Sequence, residues 1–343
     1  MQFDLMTTPM PLRRMQDLAR DAEAAGFSGL VVTESGRTAY LSCAAAALVS
    51  ELEILTGIAV AFPRSPMVTA QVAWELAEAS GGRFRLGLGT QVRAHIERRY
   101  GSDFEHPGPR LREYIAAVRA IFAAFSGDAP LAHEGEYWTL SLLPGMWAPG
   151  PIDVPAPPID IAAVNPWMLR MAGEAADGVH IHPLNTPTYL RDTVVPNLAA
   201  GAARAGRSPG DVAVIVPTFA APGDTAEEVQ GWRELARMQV SFYGSTPNYA
   251  FIFDQVGAEG TTARIRERQK VGDLAGMAAC IDDELLDHFC VSGDWATVAD
   301  GLVDRYAGTA TRVVSYFAAM AWARDPKALG RWGELARAVQ GAT

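Results

Sequence analysis

Cysteine is scarce in this chain. Cys43, Cys280 and Cys290 are isolated thiols with no close pair, an odd and sparse count that offers neither a disulfide framework nor a zinc knuckle and suits a reducing compartment. Positive charge is also in short supply. The formal net charge is −10, which disfavours nucleic acid as a general partner because phosphate binding needs a basic surface. No apolar run reaches the length of about 20 residues that a membrane span requires. The N-terminus, MQFDLMTTPMPLRRMQD, lacks the basic-then-apolar layout of an export signal, so a cytoplasmic protein is expected. The glycine fingerprint of a dinucleotide-binding sheet is missing too: after the first apolar run the chain reads Thr7-Thr8-Pro9-Met10-Pro11 instead of G-x-G-x-x-G.

What is present is a regular alternation of strand and helix signals. The apolar runs Phe3–Thr7, Gly29–Glu34, Ile54–Ala61, Arg83–Gly89, Ile159–Ala163, Gly178–His182, Val212–Pro217 and Arg312–Phe317 read as strands. Between them lie stretches of helical periodicity, among them Pro66–Ala79, Arg110–Phe125 and Pro166–Ala176. Two segments break the rhythm, about 127–158 and about 241–293. Eight strands alternating with helices predict a TIM (β/α)8 barrel with two insertions, a single domain over 1–343. At 343 residues, 49% of them apolar, the chain can bury the core such a barrel needs.

A barrel of this kind carries its active site at the C-terminal ends of the strands. Those ends supply Thr8, Glu34-Ser35, Ala59 to Ala61, Gly89-Thr90-Gln91, Ala163-Val164-Asn165, His182, Pro217-Thr218 and Tyr316. The inventory holds one carboxylate and one imidazole, too few for a metal hydrolase. His180 and His182 share a strand face, but no further ligand stands at another strand end, so no metal site is expected and His180 reads as an interior residue. His182 at the rim could donate a proton or hold a substrate oxygen. Glu34 could act as a base or orient a hydroxyl. Gly57 within a core strand marks a bulge or a close approach, and Asn165-Pro166 starts a helix whose free amides could face an anion. Arg93, Arg98, Arg99, Arg110 and Arg112 form a local basic cluster, read as a solvated face balanced by nearby carboxylates. Such a mouth suits a flat, partly apolar group that brings its own reactivity.

Ala22-Glu-Ala-Ala-Gly-Phe27, Arg64-Ser-Pro66, Ser80-Gly-Gly-Arg-Phe84, Leu86-Gly-Leu-Gly89, Ala172-Gly-Glu-Ala-Ala-Asp-Gly178 and Ser241-Phe-Tyr-Gly-Ser-Thr-Pro247, in this order and spacing, resemble the bacterial luciferase-like superfamily in its coenzyme F420-dependent branch. The resemblance implies a barrel with insertions, usually dimeric, binding a flavin or deazaflavin at the strand C-termini. It implies that Gly57, Ile58 and Ala59 form a third-strand bulge holding a non-prolyl cis peptide beneath the cofactor ring. It further implies that Gly89, Thr90 and His95 line the cofactor, and that the amides of Val164 and Asn165 hold its phosphate. Two departures matter: the family's sugar-phosphate dehydrogenases carry a histidine where this chain has Ser35 and a glutamate where it has Val92. Alcohol oxidation by that machinery is therefore not expected.

These readings converge on a coenzyme F420-dependent reductase acting on an activated C=C or C=N bond of a small molecule or dehydroamino-acid-containing compound, with Glu34 or His182 as the catalytic group. The alternatives are a reduced-FMN-dependent monooxygenase on the same barrel and a non-catalytic cofactor-binding protein. Aromatics of the two insertions, Trp138, Trp147, Tyr243, Tyr249 and Phe251, either roof an apolar pocket or pack the insertions onto the barrel. A homodimer that binds neither nucleic acid nor membrane is expected.

Overall fold

The computed structural model describes residues 1–342. Its main sheet is parallel throughout and closes on itself. Two of its ten strands, Ala59–Val60 and Cys290–Gly293, pair outside the ring. The remaining eight form the barrel: β1 (Gln2–Thr7), β2 (Gly29–Val32), β3 (Glu53–Thr56), β4 (Phe84–Gly89), β5 (Ile159–Ala162), β6 (Gly178–His180), β7 (Ala213–Pro222) and β8 (Arg312–Ser315). They are ordered by sequence around the ring, and β8 pairs with β1 to close it. The predicted TIM barrel is therefore the observed fold.

Strand periodicity sorts the residues into two cores. Phe3, Leu5, Leu30, Ile54 and Leu86 point outward and pack under the helices in the main apolar cluster. Residues of the other parity face the axis, where Met6, Val31, Leu55, Ile215 and Val314 form a separate small cluster. Period-2 alternation thus serves helix packing on one face and barrel filling on the other.

The N-terminal end of the barrel interior is ionic. Arg312 donates to both carboxylate oxygens of Asp4, at 2.7 and 2.8 Å, and also reaches Glu53 and Gln2. Arg85 makes a bidentate pair with Asp160 at 2.9 and 2.6 Å and lies 3.9 Å from Glu53. Gly29 lies between Asp4 and Glu53 in the register. A Cβ there would sit 2.7 Å from the Arg312 guanidinium and 2.8 Å from the Asp4 carboxylate, so only glycine leaves the pair its space.

Several boundaries differ from the sequence reading. The third strand does not run unbroken from Ile54 to Ala61: it stops at Thr56, the Gly57–Ile58 peptide bond is cis, and Ala59–Val60 resumes beside β4 alone. β2, β6 and β8 end at Val32, His180 and Ser315, short of Glu34, His182 and Phe317. β7 runs past Pro217 to Pro222 because Phe219–Pro222 pair with Cys290–Gly293, contributed by the second insertion. The helix Ala226–Gly244 also continues into that insertion. The first insertion contains a hairpin, His133–Glu134 with Thr139–Leu140. The Glu113 carboxylate anchors it by accepting from the amides of Glu136, Tyr137 and Trp138 at 2.8, 2.9 and 2.8 Å.

Arg312 is 4% exposed and Asp4 fully buried, so removing one partner strands an uncompensated charge. Arg312→Met should cost about 3–5 kcal/mol in denaturant unfolding. Arg191→Ala, which breaks only an exposed pair with Asp192, should change stability by less than about 0.5 kcal/mol.

Candidate active site at the barrel mouth

Glu34 sits just beyond β2 with its side chain 3% exposed. Its carboxylate accepts two bonds from Arg64, at 2.9 and 2.5 Å, and one from the Val60 amide at 2.7 Å. Arg64 also donates to the Val60 carbonyl at 2.9 Å and lies 5.1 Å from the centroid of the Tyr40 ring. Both oxygens are thus committed to strong charge-assisted bonds. This geometry does not suit the general base that the sequence left open: Glu34 clamps the end of β2 to the segment that follows the Gly57–Ile58 bond.

That segment is shaped by neighbours inside the barrel. A Cβ on Gly57 would lie 2.2 Å from Val31 Cγ1, and one on Gly89 would lie 2.5 Å from Ile58 Cδ1. Ile58 therefore lies across Gly89 and remains partly exposed. The glycines give room to side chains of this chain, so the small residues at the end of β4 do not simply bare backbone. Thr90 follows, partly exposed, its hydroxyl donating to the Gln91 carbonyl at 3.1 Å.

His182 follows β6. Its Nδ1 accepts from the Leu184 amide at 3.0 Å, which leaves the ring proton on Nε2. Burial lowers its pKa to about 3, so the group is a neutral donor. Asn185, 2% exposed, donates to the carbonyls of His182 and Pro217, each at 2.9 Å, and ties the turn after β6 to the middle of β7. Sequence reasoning passed over this asparagine, which sits among the polar residues His182, Thr186 and Thr188 and carries no local signal of its own.

Tyr243 and Tyr249 from the second insertion pack on the His182 ring, with centroids 4.7 and 4.3 Å away. The Tyr243 hydroxyl meets that of Tyr316, from the end of β8, at 2.6 Å. Tyr316 in turn reaches Gln239 Oε1 at 3.4 Å. The other insertion aromatics take different places. Trp138 packs edge-on against buried Tyr114, Phe251 packs on Tyr189, and Trp147 is exposed.

The remaining sequence-predicted residues are not all drawn together. Asn165 caps the helix Pro166–Ala175 by accepting from the Met168 amide at 3.0 Å, and the Val164 carbonyl accepts from Tyr189 at 2.6 Å. His95 is exposed on the short helix Arg93–Arg98, where only Ile96 turns inward. Arg93, Arg99, Arg110 and Arg112 are engaged with Glu97, the Ser35 carbonyl, the Asp103 carbonyl and Glu174. His180 lies in the barrel interior, its Nε2 3.8 Å from Asp160 and without a hydrogen bond. A Cβ on Gly87 would stand 2.7 Å from that nitrogen.

The described strand-end residues therefore offer apolar surface, neutral donors and hydroxyls, and the one carboxylate among them, Glu34, is bonded to Arg64. No cluster of three or more His, Cys, Asp or Glu side chains suited to a metal occurs among the described residues. Burial pushes the Cys290 thiol up to about 12 and the Cys43 thiol well above its usual range, so neither is poised as a nucleophile. Among the described residues no helix is long and apolar enough to cross a membrane.

The closed parallel sheet places the chain among the (β/α)8 barrel proteins. The chain belongs to the luciferase-like monooxygenase family, whose model matches residues 2–312. It is 39% identical to the uncharacterized protein Rv1360 of Mycobacterium tuberculosis over 312 residues, covering 91% of this chain and 92% of that one. It is 27% identical to the 5,10-methylenetetrahydromethanopterin reductase of Archaeoglobus fulgidus, covering 92% and 93% of the two chains. Among solved structures it superposes on the coenzyme F420-dependent tetrahydromethanopterin reductase of Methanopyrus kandleri with a TM-score of 0.77 at 22% identity, over 97% of each chain.

Two outcomes follow from this geometry. Glu34→Ala leaves the Arg64 guanidinium without its partner and should lower stability by about 2–3 kcal/mol in denaturant unfolding. The second concerns pH. His180 is buried and its pKa falls to about 3, through burial first and then the nearby Arg85 and Arg312 charges. The unfolded chain binds a proton there that the folded chain refuses. Stability should therefore rise with pH between about 3 and about 6.5 and be fully present above that window. His180→Gln should reduce this acid-side slope, leaving the share contributed by His182, measured by unfolding at about pH 5 and about pH 7.5.

Proposed function

We propose that this protein is a coenzyme F420-dependent oxidoreductase that delivers hydride to an activated C=C or C=N bond of a small molecule. The observation that carries the reading is the commitment of the strand-end carboxylate Glu34: bonded through both oxygens to Arg64 and Val60, it is not available as a base for alcohol oxidation. A reduction asks less of the side chains. It needs a hydride source, a surface to orient it and a neutral acid or donor.

The residues present fit a flat deazaflavin. Ile58, lying across Gly89, offers an apolar platform, and neutral His182 offers an N–H donor free of competing charge. Gly57, Ile58 and Ala59 would support the ring, Gly89 and Thr90 would flank it, and the turn at Val164 and Asn165 would meet its phosphate, with His95 at the outer rim. The reduced deazaflavin, when bound, supplies the hydride. The Glu34–Arg64 clamp keeps the Gly57–Ile58 segment in place, Asn185 holds the His182 backbone, and His182 Nε2–H anchors a substrate heteroatom. The family resemblance and the reductase named among the relatives support the same reading.

Equilibrium binding followed by absorbance and fluorescence tests it. Coenzyme F420 should bind the purified protein at least tenfold tighter than FMN. Gly89→Ala, which displaces Ile58 into the mouth, should weaken F420 binding at least tenfold while leaving the protein folded. Tight FMN binding with no F420 binding would overturn the proposal in favour of a flavin-dependent monooxygenase.

A further inference from the structure

The hydroxyl pair of Tyr243 and Tyr316 has no assigned part in the scheme above. The two oxygens lie 2.6 Å apart, a distance that requires one hydroxyl to donate to the other. Two protons are thus shared among two oxygens, and only one of them is committed to the pair. The second has Gln239 Oε1 as its protein acceptor, at 3.4 Å from Tyr316, a long contact that a closer oxygen would displace. Both tyrosines are partly exposed, and they come from different parts of the chain: the second insertion and the end of β8. Tyr316 packs against the axial cluster of Met6, Val31, Leu55, Ile215 and Val314, which sets it over the barrel axis. Tyr243 packs edge-on against the His182 ring. Burial raises the pKa of each phenol, so both remain protonated and act as donors.

We infer that the Tyr243–Tyr316 hydroxyl pair is the oxygen-binding and proton-donating subsite for the substrate, and that the substrate is an alkene conjugated to a carbonyl group. This rests on the F420 reductase reading and adds a substrate class to it. A bound reduced deazaflavin would supply the hydride for the new C–H bond at the β-carbon. The π pair of the C=C bond shifts toward the carbonyl, whose oxygen gains negative charge and accepts the hydroxyl proton of the pair in a strengthened hydrogen bond. The α-carbon then takes that proton, the C=O bond is restored, and water returns a proton to the tyrosinate. The alkene would gain two electrons, and a bound reduced deazaflavin would give them up. Tyr249 and His182 wall the subsite with ring faces and edges, which suits a planar conjugated acceptor better than a charged one.

The test uses 2-cyclohexen-1-one as probe with wild type, Tyr243→Phe and Tyr316→Phe, each of which removes a single oxygen. Three measurements are made: F420 binding, enone binding by ligand-observed NMR, and single-turnover oxidation of reduced F420 by the enone in H2O and D2O. Both variants should bind F420 within about twofold of wild type. Both should bind the enone more weakly and lose at least tenfold in single-turnover rate, and the solvent isotope effect seen in wild type should change in each. Wild-type rates and isotope effects in both variants overturn the subsite while leaving the cofactor reading intact. Failure of wild type to bind F420 overturns the cofactor reading; the subsite then stands only if the enone binds wild type at least tenfold tighter than either variant, and it falls otherwise. Absence of both enone binding and enone reduction in the wild type also overturns it.

Discussion

The barrel closes around a buried ionic lock. Arg312 on the last strand holds Asp4 on the first and Glu53 on the third, while Arg85 holds Asp160 on the next strand round. Buried ion pairs add little net stability over apolar packing, but a wrong register would leave their charges unpaired at high cost. The lock therefore selects one alignment of β8 against β1, the pairing that turns an open sheet into a closed one. It also gathers charge at the N-terminal end of the barrel, the end that serves stability, and leaves the mouth neutral.

That segregation governs the site. Above the lock the axis is apolar, with Met6, Val31, Leu55, Ile215 and Val314 beneath the mouth. Where charge does reach the mouth it is neutralised within the protein, as Glu34 is by Arg64. The functional groups left over are hydroxyls, amides and an imidazole kept neutral by burial. In such surroundings a hydrogen bond is stronger than in water, so neutral donors can orient a reaction whose electrons come from elsewhere.

The alternation of strand and helix was legible outside the two insertions, because period-2 and period-3.6 patterns report directly on which face is buried. The ionic lock was not read, although its signal was there: Asp4, Glu53, Arg85, Asp160 and Arg312 each interrupt an apolar run at a strand position. A charged residue in a strand ordinarily marks an exposed face, and only barrel closure turns these positions inward together. The glycines at the mouth were legible, but the side chains that pack against them were not. Gly89 has no side chain because Ile58 occupies that space, a contact between residues some thirty positions apart. Glu34 was singled out, yet its partner Arg64 was visible only as part of a turn motif. Tyr243 and Tyr316 lie 73 positions apart, and nothing local indicates that their hydroxyls touch.

The sequence by itself determined the barrel, the family resemblance, the end of the barrel that carries the site and the scarcity of ionisable groups there. Each depends on local pattern or composition, which a one-dimensional reading retains. The tertiary structure alone decided which of those few groups are free. It spent the Glu34 carboxylate on a clamp, fixed the His182 proton on Nε2 through the Leu184 amide, and brought two distant phenols within 2.6 Å. Availability for chemistry is a property of partners, and partners are set by the closing of the chain in space.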